Sequence, residues 1–386
     1  MLGSVRIVAD ENIPYVREAF GSLGRVDLVA GRAVTAALLK EADLLLVRSV
    51  TRVNEHLLAG SSVKFVATAT IGTDHVDEGF LARHGITFAS AAGSNSNSVS
   101  EYITAALLVL ARRKGFTLAG KTIGVVGVGN VGSKVACKCR QLGLAVLKND
   151  PPLRAQTGSD EYRELPELLE ACDVLTVHVP LTTGGRWPTH HMVNESLLAR
   201  LKPGAFLFNS SRGAVVDEAA MKQALKAGRL AGAVLDVWEH EPNLDAELLK
   251  LAELGTPHIA GYSFDGKVNG TEMIYHAACK FLGVTPTWVP KAVLPAPVVP
   301  LVSLTGSGDF EADLLSVIRR VYDIESDDAR LRELLGMAGP ERPKHFDLLR
   351  KHYQVRREFF NIRIELTGRC DPRTESVLAG LGFQTK

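Results

Sequence analysis

Almost no net charge separates the 44 basic from the 43 acidic residues of this sequence. A formal charge of +1 creates no field that would gather nucleic acid or an anionic membrane, so neither is an expected partner. Any anionic ligand must be held by local cations instead. Cysteine is scarce, with five residues scattered at Cys137, Cys139, Cys172, Cys279 and Cys370. An odd, dispersed set argues for structural thiols over a disulfide framework, and Cys137 and Cys139 point to different faces of an expected helix. No metal site is expected. No stretch approaches the ~20 apolar residues of a membrane span. The opening MLGSVRIVADENIP runs straight into strand-like residues and charge without the pattern of a secretory signal, so a cytoplasmic location is expected. Internal repeats and low-complexity segments are also missing.

What remains is a chain that is 46% hydrophobic and, at 386 residues, too long for one compact core. Short apolar runs at 5–10, 25–29, 43–49, 63–70 and 85–90 read as strands with helical segments between them. That alternation implies a parallel sheet covered on both faces. Ser98 and Glu101 then form a capping box ahead of a long apolar helix reaching residue 114. The pattern restarts with strands at 121–127, 144–150, 173–180, 205–211, 231–237 and a short one at TPHIA, 256–260. TPTWVPKAVLPAPVVP (285–300) carries too many prolines for a helix or central strand and reads as a linker. Beyond it, helices are expected near 309–323, 327–337 and 344–358, and a strand at 360–368. The fold class is α/β: two doubly wound parallel-sheet domains, Rossmann or flavodoxin-like, with a C-terminal α+β domain.

The segment GVVGVGNVG places Gly127, Gly129 and Gly132 in a GxGxxG pattern between an apolar strand and a helix. Asp150 follows 18 residues after Gly132, at the end of the next strand. This is the setting of a dinucleotide fingerprint. Gly127 serves the tight turn, Gly129 lets backbone amides approach a pyrophosphate, and Gly132 permits close helix packing. The helix start supplies amide groups and a positive dipole end. Asp150 would accept from ribose hydroxyls and repel a 2′-phosphate, which favours NAD over NADP, with Lys148 nearby pulling the other way.

Three later segments, NSSRGAVVD, DVWEHEP and TPHIAGYS, fall where strands of the second sheet end. Ligands of open parallel sheets bind at that edge. Arg212, Glu241 and His258 are therefore expected on the cofactor's side. Oxidising a secondary alcohol needs a base for the hydroxyl proton, and a histidine oriented by a carboxylate provides one. A guanidinium can grip a substrate carboxylate through two parallel hydrogen bonds.

Together these segments resemble the signatures of the D-isomer-specific 2-hydroxyacid dehydrogenase family, over residues of about 5 to 280. The resemblance implies NAD-dependent oxidation of a 2-hydroxy acid, with Arg212 and Glu241 catalytic and His258 as proton donor and acceptor. It implies NAD contacts from Asn130, Val131, Asp150, Ser210, Ser211, Arg212, Asp236 and Gly261, and substrate contacts from Ser49, Thr70 and Tyr262. Val179 departs from the family's usual threonine and can offer NAD only its backbone. The implied domains are a substrate-binding domain, 1–97 completed by 265–284, an NAD-binding domain, 98–264, and a homodimerising tail, 285–386. The tail's apolar helix faces need burial, which a second copy would supply. A remote phosphate on a four-carbon substrate is expected as well, met by Arg48 or by Lys344, Arg350, Arg356 and Arg357 of the tail. The alternatives are a phosphoglycerate-, glyoxylate- or lactate-type dehydrogenase, or an NAD-sensing binding protein on the same fold.

Overall fold

The computed structural model describes residues 5–290 and 294–385. They divide into two compact units: Met1–Asn95 with Ser263–Pro295, and Ser96–Tyr262 with Ala296–Lys386.

The first unit is built on β1 (Arg6–Asp10), β2 (Arg25–Val29), β3 (Leu44–Val47), β4 (Phe65–Thr68) and β5 (Thr87–Ser90). All pairings are parallel, in the order β2-β1-β3-β4-β5. The inner strands LLLV and FVAT are buried at every residue, as a sheet covered on both faces requires. The edge strand RVDLV alternates charge with partial burial.

The second unit carries β6 (Thr122–Val126), β7 (Ala145–Asn149), β8 (Val174–Val177), β9 (Ala205–Asn209), β10 (Leu230–Leu235) and β11 (Leu254–Gly255). Their order is β11-β10-β9-β8-β6-β7, again all parallel. The chain reverses direction across the sheet between β6 and β8, and this switch point opens a crevice at the strands' carboxyl ends. The last strand is shorter than expected and lies upstream of TPHIA. Pro257 has no N–H to donate to a ladder, and His258 adopts φ 57, so residues 256–260 leave the sheet as a loop.

Helix α1 (Ser96–Lys114) is buried at 15 of its 19 residues, nearly all round. Its start overturns the expected capping box: Ser98 and Glu101 lie inside the helix and bond to the tail instead. Ser98 Oγ donates to Glu358 Oε1 at 2.6 Å, while Glu101 accepts from Arg356 Nη1 at 2.9 Å and from the Phe359 amide at 2.8 Å. Asn97 Nδ2 bridges the two carboxylates. A buried carboxylate is costly unless paired, and here the guanidinium pairs it. Burial and the neighbouring Glu358 still push the Glu101 carboxyl up to about 8, with Arg356 and Lys138 opposing.

Further helices include α2 (Asn130–Gln141), α3 (Pro151–Thr157), α4 (Phe264–Leu282), α5 (Phe310–Val321), α6 (Ile324–Arg332), α7 (Arg342–Lys351) and α8 (Thr374–Leu381). The tail also forms a parallel pair of β12 (Leu301–Leu304) and β13 (Arg363–Leu366). Leu314, Leu315 and Ile318 of α5 and Leu378 and Leu381 of α8 join one core with α1, α2 and β6. Leu331 and Leu334 join the core on the sheet's other side. The tail's helix faces are thus covered within the chain, which removes the reason given above for needing a second copy to bury them.

Candidate active site

The six parallel strands of the second sheet bring their carboxyl ends to one edge. After β6, Gly127 turns at φ 82, and a Cβ there would lie 2.5 Å from the His178 carbonyl oxygen. A Cβ on Gly132 would sit 1.9 Å from the Gly127 carbonyl oxygen, so only glycine lets α2 start this close to the turn. At Gly129 a Cβ would meet nothing within 4 Å. Two of the three glycines are thus required by the protein's own packing, while the third faces open space at the mouth of α2. Asn130 and Val131 form the first turn of α2.

After β7, Asp150 caps α3 by accepting from the Leu153 amide at 3.0 Å, and its other oxygen accepts from the Val128 amide at 2.8 Å. This carboxylate is therefore tied to the glycine loop. Lys148 pairs with Glu161 at 2.6 Å, so its charge is answered within the chain. After β8, Val179 lies beside the glycine turn, its Cγ1 2.8 Å from a Cβ placed on Gly127. Ser210 Oγ, at the end of β9, is buried with no hydrogen-bond partner. Ser211 is held by Asn209, whose side-chain oxygen accepts from the Ser211 amide at 3.1 Å and hydroxyl at 2.9 Å. The open glycine, the unmet serine hydroxyl and the loop-bound carboxylate fit a dinucleotide.

Arg212 follows, its Nη1 donating to the Ser211 carbonyl at 2.8 Å. The next residue, Gly213, carries a signal that sequence reasoning passed over. A Cβ there would come within 2.0 Å of the Trp238 carbonyl carbon. The missing side chain lets the loop after β9 lie against the loop after β10, which holds Glu241.

Glu241 and His258 meet directly, with Nδ1 2.8 Å from Oε2. The other carboxylate oxygen accepts from the Trp238 amide at 2.9 Å. Burial pushes the Glu241 carboxyl up, but His258, the Trp238 amide and Arg350 outweigh it and hold the group below its ordinary value. His258 is one of three described non-glycine residues with positive φ. Its loop is clamped by buried Asp236, whose Oδ1 accepts from the Ile259 amide at 2.8 Å and whose Oδ2 accepts from Ala260 at 2.9 Å. Thr256 Oγ1 adds a third bond, to Oδ1 at 2.6 Å, and the Asp236 carbonyl accepts from the His258 amide at 2.7 Å. Burial raises the Asp236 carboxyl, partly offset by His258, Thr256 and the Ala260 and Ile259 amides. Sequence reasoning placed Asp236 near the cofactor and missed its hold on the histidine loop. Gly261 and Tyr262 end that loop.

The tail reaches the same place. Arg350 of α7 lies 5.7 Å from the Tyr262 ring centroid, and Tyr353 meets Tyr262 edge to face at 5.9 Å. The other tail cations do not gather there. Arg356 is buried on Glu101 and over the Tyr322 ring at 4.2 Å, Arg357 donates to Asn361 Oδ1 at 2.8 Å, and Lys344 is exposed. Arg356 is therefore a core ion pair and not a substrate cation.

Arg48, Ser49 and Thr70 belong to the first unit. Arg48 and Ser49 follow β3, and Thr70 follows its neighbour β4, so the three lie on adjoining strand ends. Thr70 Oγ1 bonds Thr68 Oγ1 at 2.7 Å, which in turn bonds His75 Nε2 at 3.1 Å. One further described cluster, His190, His191 and Glu239, has metal-ligand spacing, with His191 Nε2 2.7 Å from Glu239 Oε1. Among the described residues no helix is long and apolar enough to cross a membrane.

Comparison with known proteins bears on this site directly. Residues 99–260 match the NAD binding domain of D-isomer specific 2-hydroxyacid dehydrogenases, and residues 293–382 match a domain of unknown function. Erythronate-4-phosphate dehydrogenase of Cronobacter sakazakii is 47% identical over 98% of both chains, and that of Klebsiella pneumoniae 46% identical over the same share. A D-lactate dehydrogenase from Aquifex aeolicus, solved with NAD and lactic acid, superposes with a TM-score of 0.61 at 27% identity. That likeness covers 96% of the Aquifex chain but 72% of this one. A glyoxylate reductase from Paecilomyes thermophila shares the fold, with a TM-score of 0.62 at 23% identity over 75% of this chain and 100% of its own.

Proposed function

The chain belongs to the D-isomer-specific 2-hydroxyacid dehydrogenases, within their erythronate-4-phosphate dehydrogenase group, and from that premise we propose that it oxidises 4-phospho-D-erythronate with NAD. The product is (R)-3-hydroxy-2-oxo-4-phosphooxybutanoate, a step toward pyridoxal 5′-phosphate. The observation that carries the reading is the His258–Glu241 pair at the carboxyl edge of the NAD-type sheet. An ionised carboxylate only accepts, so Nδ1 carries the proton in that bond and Nε2 of the neutral ring is left as the acceptor. His258 Nε2 takes the C2 hydroxyl proton, and Glu241 stabilises the imidazolium that results. NAD, when bound, supplies the hydride acceptor for the hydrogen leaving C2.

Gly127, Gly129 to Gly132, Asp150, Val179, Ser210 to Arg212, Asp236 and Gly261 would hold the cofactor. Arg212 grips the substrate carboxylate and polarises the reacting oxygen, with Ser49, Thr70 and Tyr262 binding substrate and Arg48 meeting its phosphate. Exposed Val298, Leu301, Val355, Phe360 and Leu366 on the tail support a homodimer formed through that region. A cytoplasmic location is inferred from the sequence, whose five cysteines are an odd and scattered set. The test is a panel of 2-hydroxy acids with NAD, with and without a terminal phosphate. Efficient turnover of 4-phosphoerythronate is expected, and equal efficiency on erythronate would refute the phosphorylated substrate. Sedimentation of the full chain tests the dimer.

A further inference from the structure

The sequence matches a domain of unknown function across residues 293–382, and Arg350 in that domain lies beside the histidine loop. The arginine is held in place from several sides. Phe346, one turn earlier on α7, is fully buried, and its ring centroid lies 5.9 Å from the guanidinium carbon. The ring of Tyr262, four residues after His258, lies at 5.7 Å. Tyr353 packs on Tyr262 and is itself anchored, its hydroxyl donating to Asp327 Oδ2 at 2.9 Å. A guanidinium fixed in this way loses little rotamer freedom when a ligand arrives.

Its hydrogen bonding is incomplete. Arg350 Nε is buried and donates to nothing. The neighbouring carboxylates are committed elsewhere. Glu241 is taken by His258 and the Trp238 amide, and Asp236 by Thr256, Ile259 and Ala260. Tyr262 bonds another part of the guanidinium, and Glu241 and Asp236 favour its charge, so what an incoming anion would supply is the acceptor that Nε lacks.

Resting on the reading of a phosphorylated hydroxy acid given above, we propose that Arg350 is a second cation, beside Arg48, that sets specificity for the substrate's terminal phosphate. The C-terminal domain thereby contributes a side chain to the hydride-transfer site, in addition to any role in assembly. Arginine suits the task because its planar fork matches phosphate oxygens in two parallel bonds. A purely structural Arg350, present to balance Glu241 and Asp236, would support every substrate alike.

The test compares kcat/KM for 4-phosphoerythronate and for erythronate, using full-length wild type, Arg350→Met and Arg350→Lys. Hydrogen bonds to charged groups are worth enough that Arg350→Met should lose about 10- to 100-fold more on the phosphorylated substrate than on erythronate. Arg350→Lys should show a smaller differential loss, since it keeps the charge but not the fork. Inorganic phosphate should also compete more weakly in both variants. Should the methionine variant fail to fold, the lysine variant and phosphate inhibition carry the test. Equal losses on the two substrates, or an undiminished preference, would overturn the assignment while leaving the substrate reading intact. A wild type without preference would overturn both.

Discussion

His258 sits at φ 57, a conformation that costs most side chains energy, and Asp236 pins the loop around it. The geometry is therefore built by the backbone and not by the ring. His258→Asn should leave NAD affinity near wild type while lowering kcat by ~10²–10⁴-fold, the usual worth of a positioned acid-base group. Steady-state rates beside a cofactor titration check this, and near-normal turnover would return the histidine to a packing role. Glu241 gives a pH prediction. Its folded carboxyl titrates below its ordinary value of 4.5, so its pairing stabilises the fold above that value. The contribution fades as pH falls through the lower folded value. The stability gap between wild type and Glu241→Gln should accordingly narrow as pH falls below 4.5, as read from urea midpoints. A gap that stays constant below pH 4.5 would mean the carboxylate's pairing does not contribute to the fold.

Loops and helix starts make their own demands, most clearly at the glycines. Gly213→Ala would drive a Cβ into the backbone at Trp238 and shift the loop carrying Glu241. It should cost about 1–3 kcal/mol of stability, as overpacking does, and lower activity as well. Gly129→Ala meets open space in the chain. It should leave the melting temperature almost unchanged and weaken NAD binding alone, a contrast that calorimetry with and without cofactor would display. The same positions explain what could be read beforehand. Gly127, Gly129 and Gly132 were legible because their spacing sits between a strand and a helix, a local pattern. Gly213 was not, since its partner Trp238 is distant in sequence and only the fold brings the two together. Periodicity likewise located the strands, but it placed a strand on TPHIA that Pro257 and the φ of His258 break. Ser98 and Glu101 have the form of a cap, and nothing local reveals that Arg356 and Glu358 would claim them.

At the scale of the whole molecule, that buried cluster fastens the tail to α1. Arg356→Met would leave Glu101 and Glu358 without their guanidinium, and breaking a buried pair from one side costs about 3–5 kcal/mol. The sign of its pH dependence follows from Glu101, which is raised to about 8 when folded. Protonation favours the folded state, so this group's contribution weakens as pH rises from about 4.5 through about 8. The deficit of Arg356→Met should then be larger at pH 8 than at pH 5 in denaturant titrations. An equal deficit at both would mean that the Glu101 carboxyl is not raised in the folded chain. The near-complete burial of α1 also bears on how the chain is made. Its cover from α5 begins with Phe310, roughly 200 residues after α1 ends at Lys114. At the usual ~5–20 residues per second of synthesis, an apolar helix waits on the ribosome for roughly 10–40 seconds before that cover is translated. The first unit waits too, because α4 returns to it only after the NAD-type sheet has been made. Nascent chains arrested near residue 285 should therefore be cut readily by protease within 96–262 and be held by chaperones, whereas released full-length chains resist. Equal resistance at the two lengths would mean that the sheet closes over its central helix without the tail.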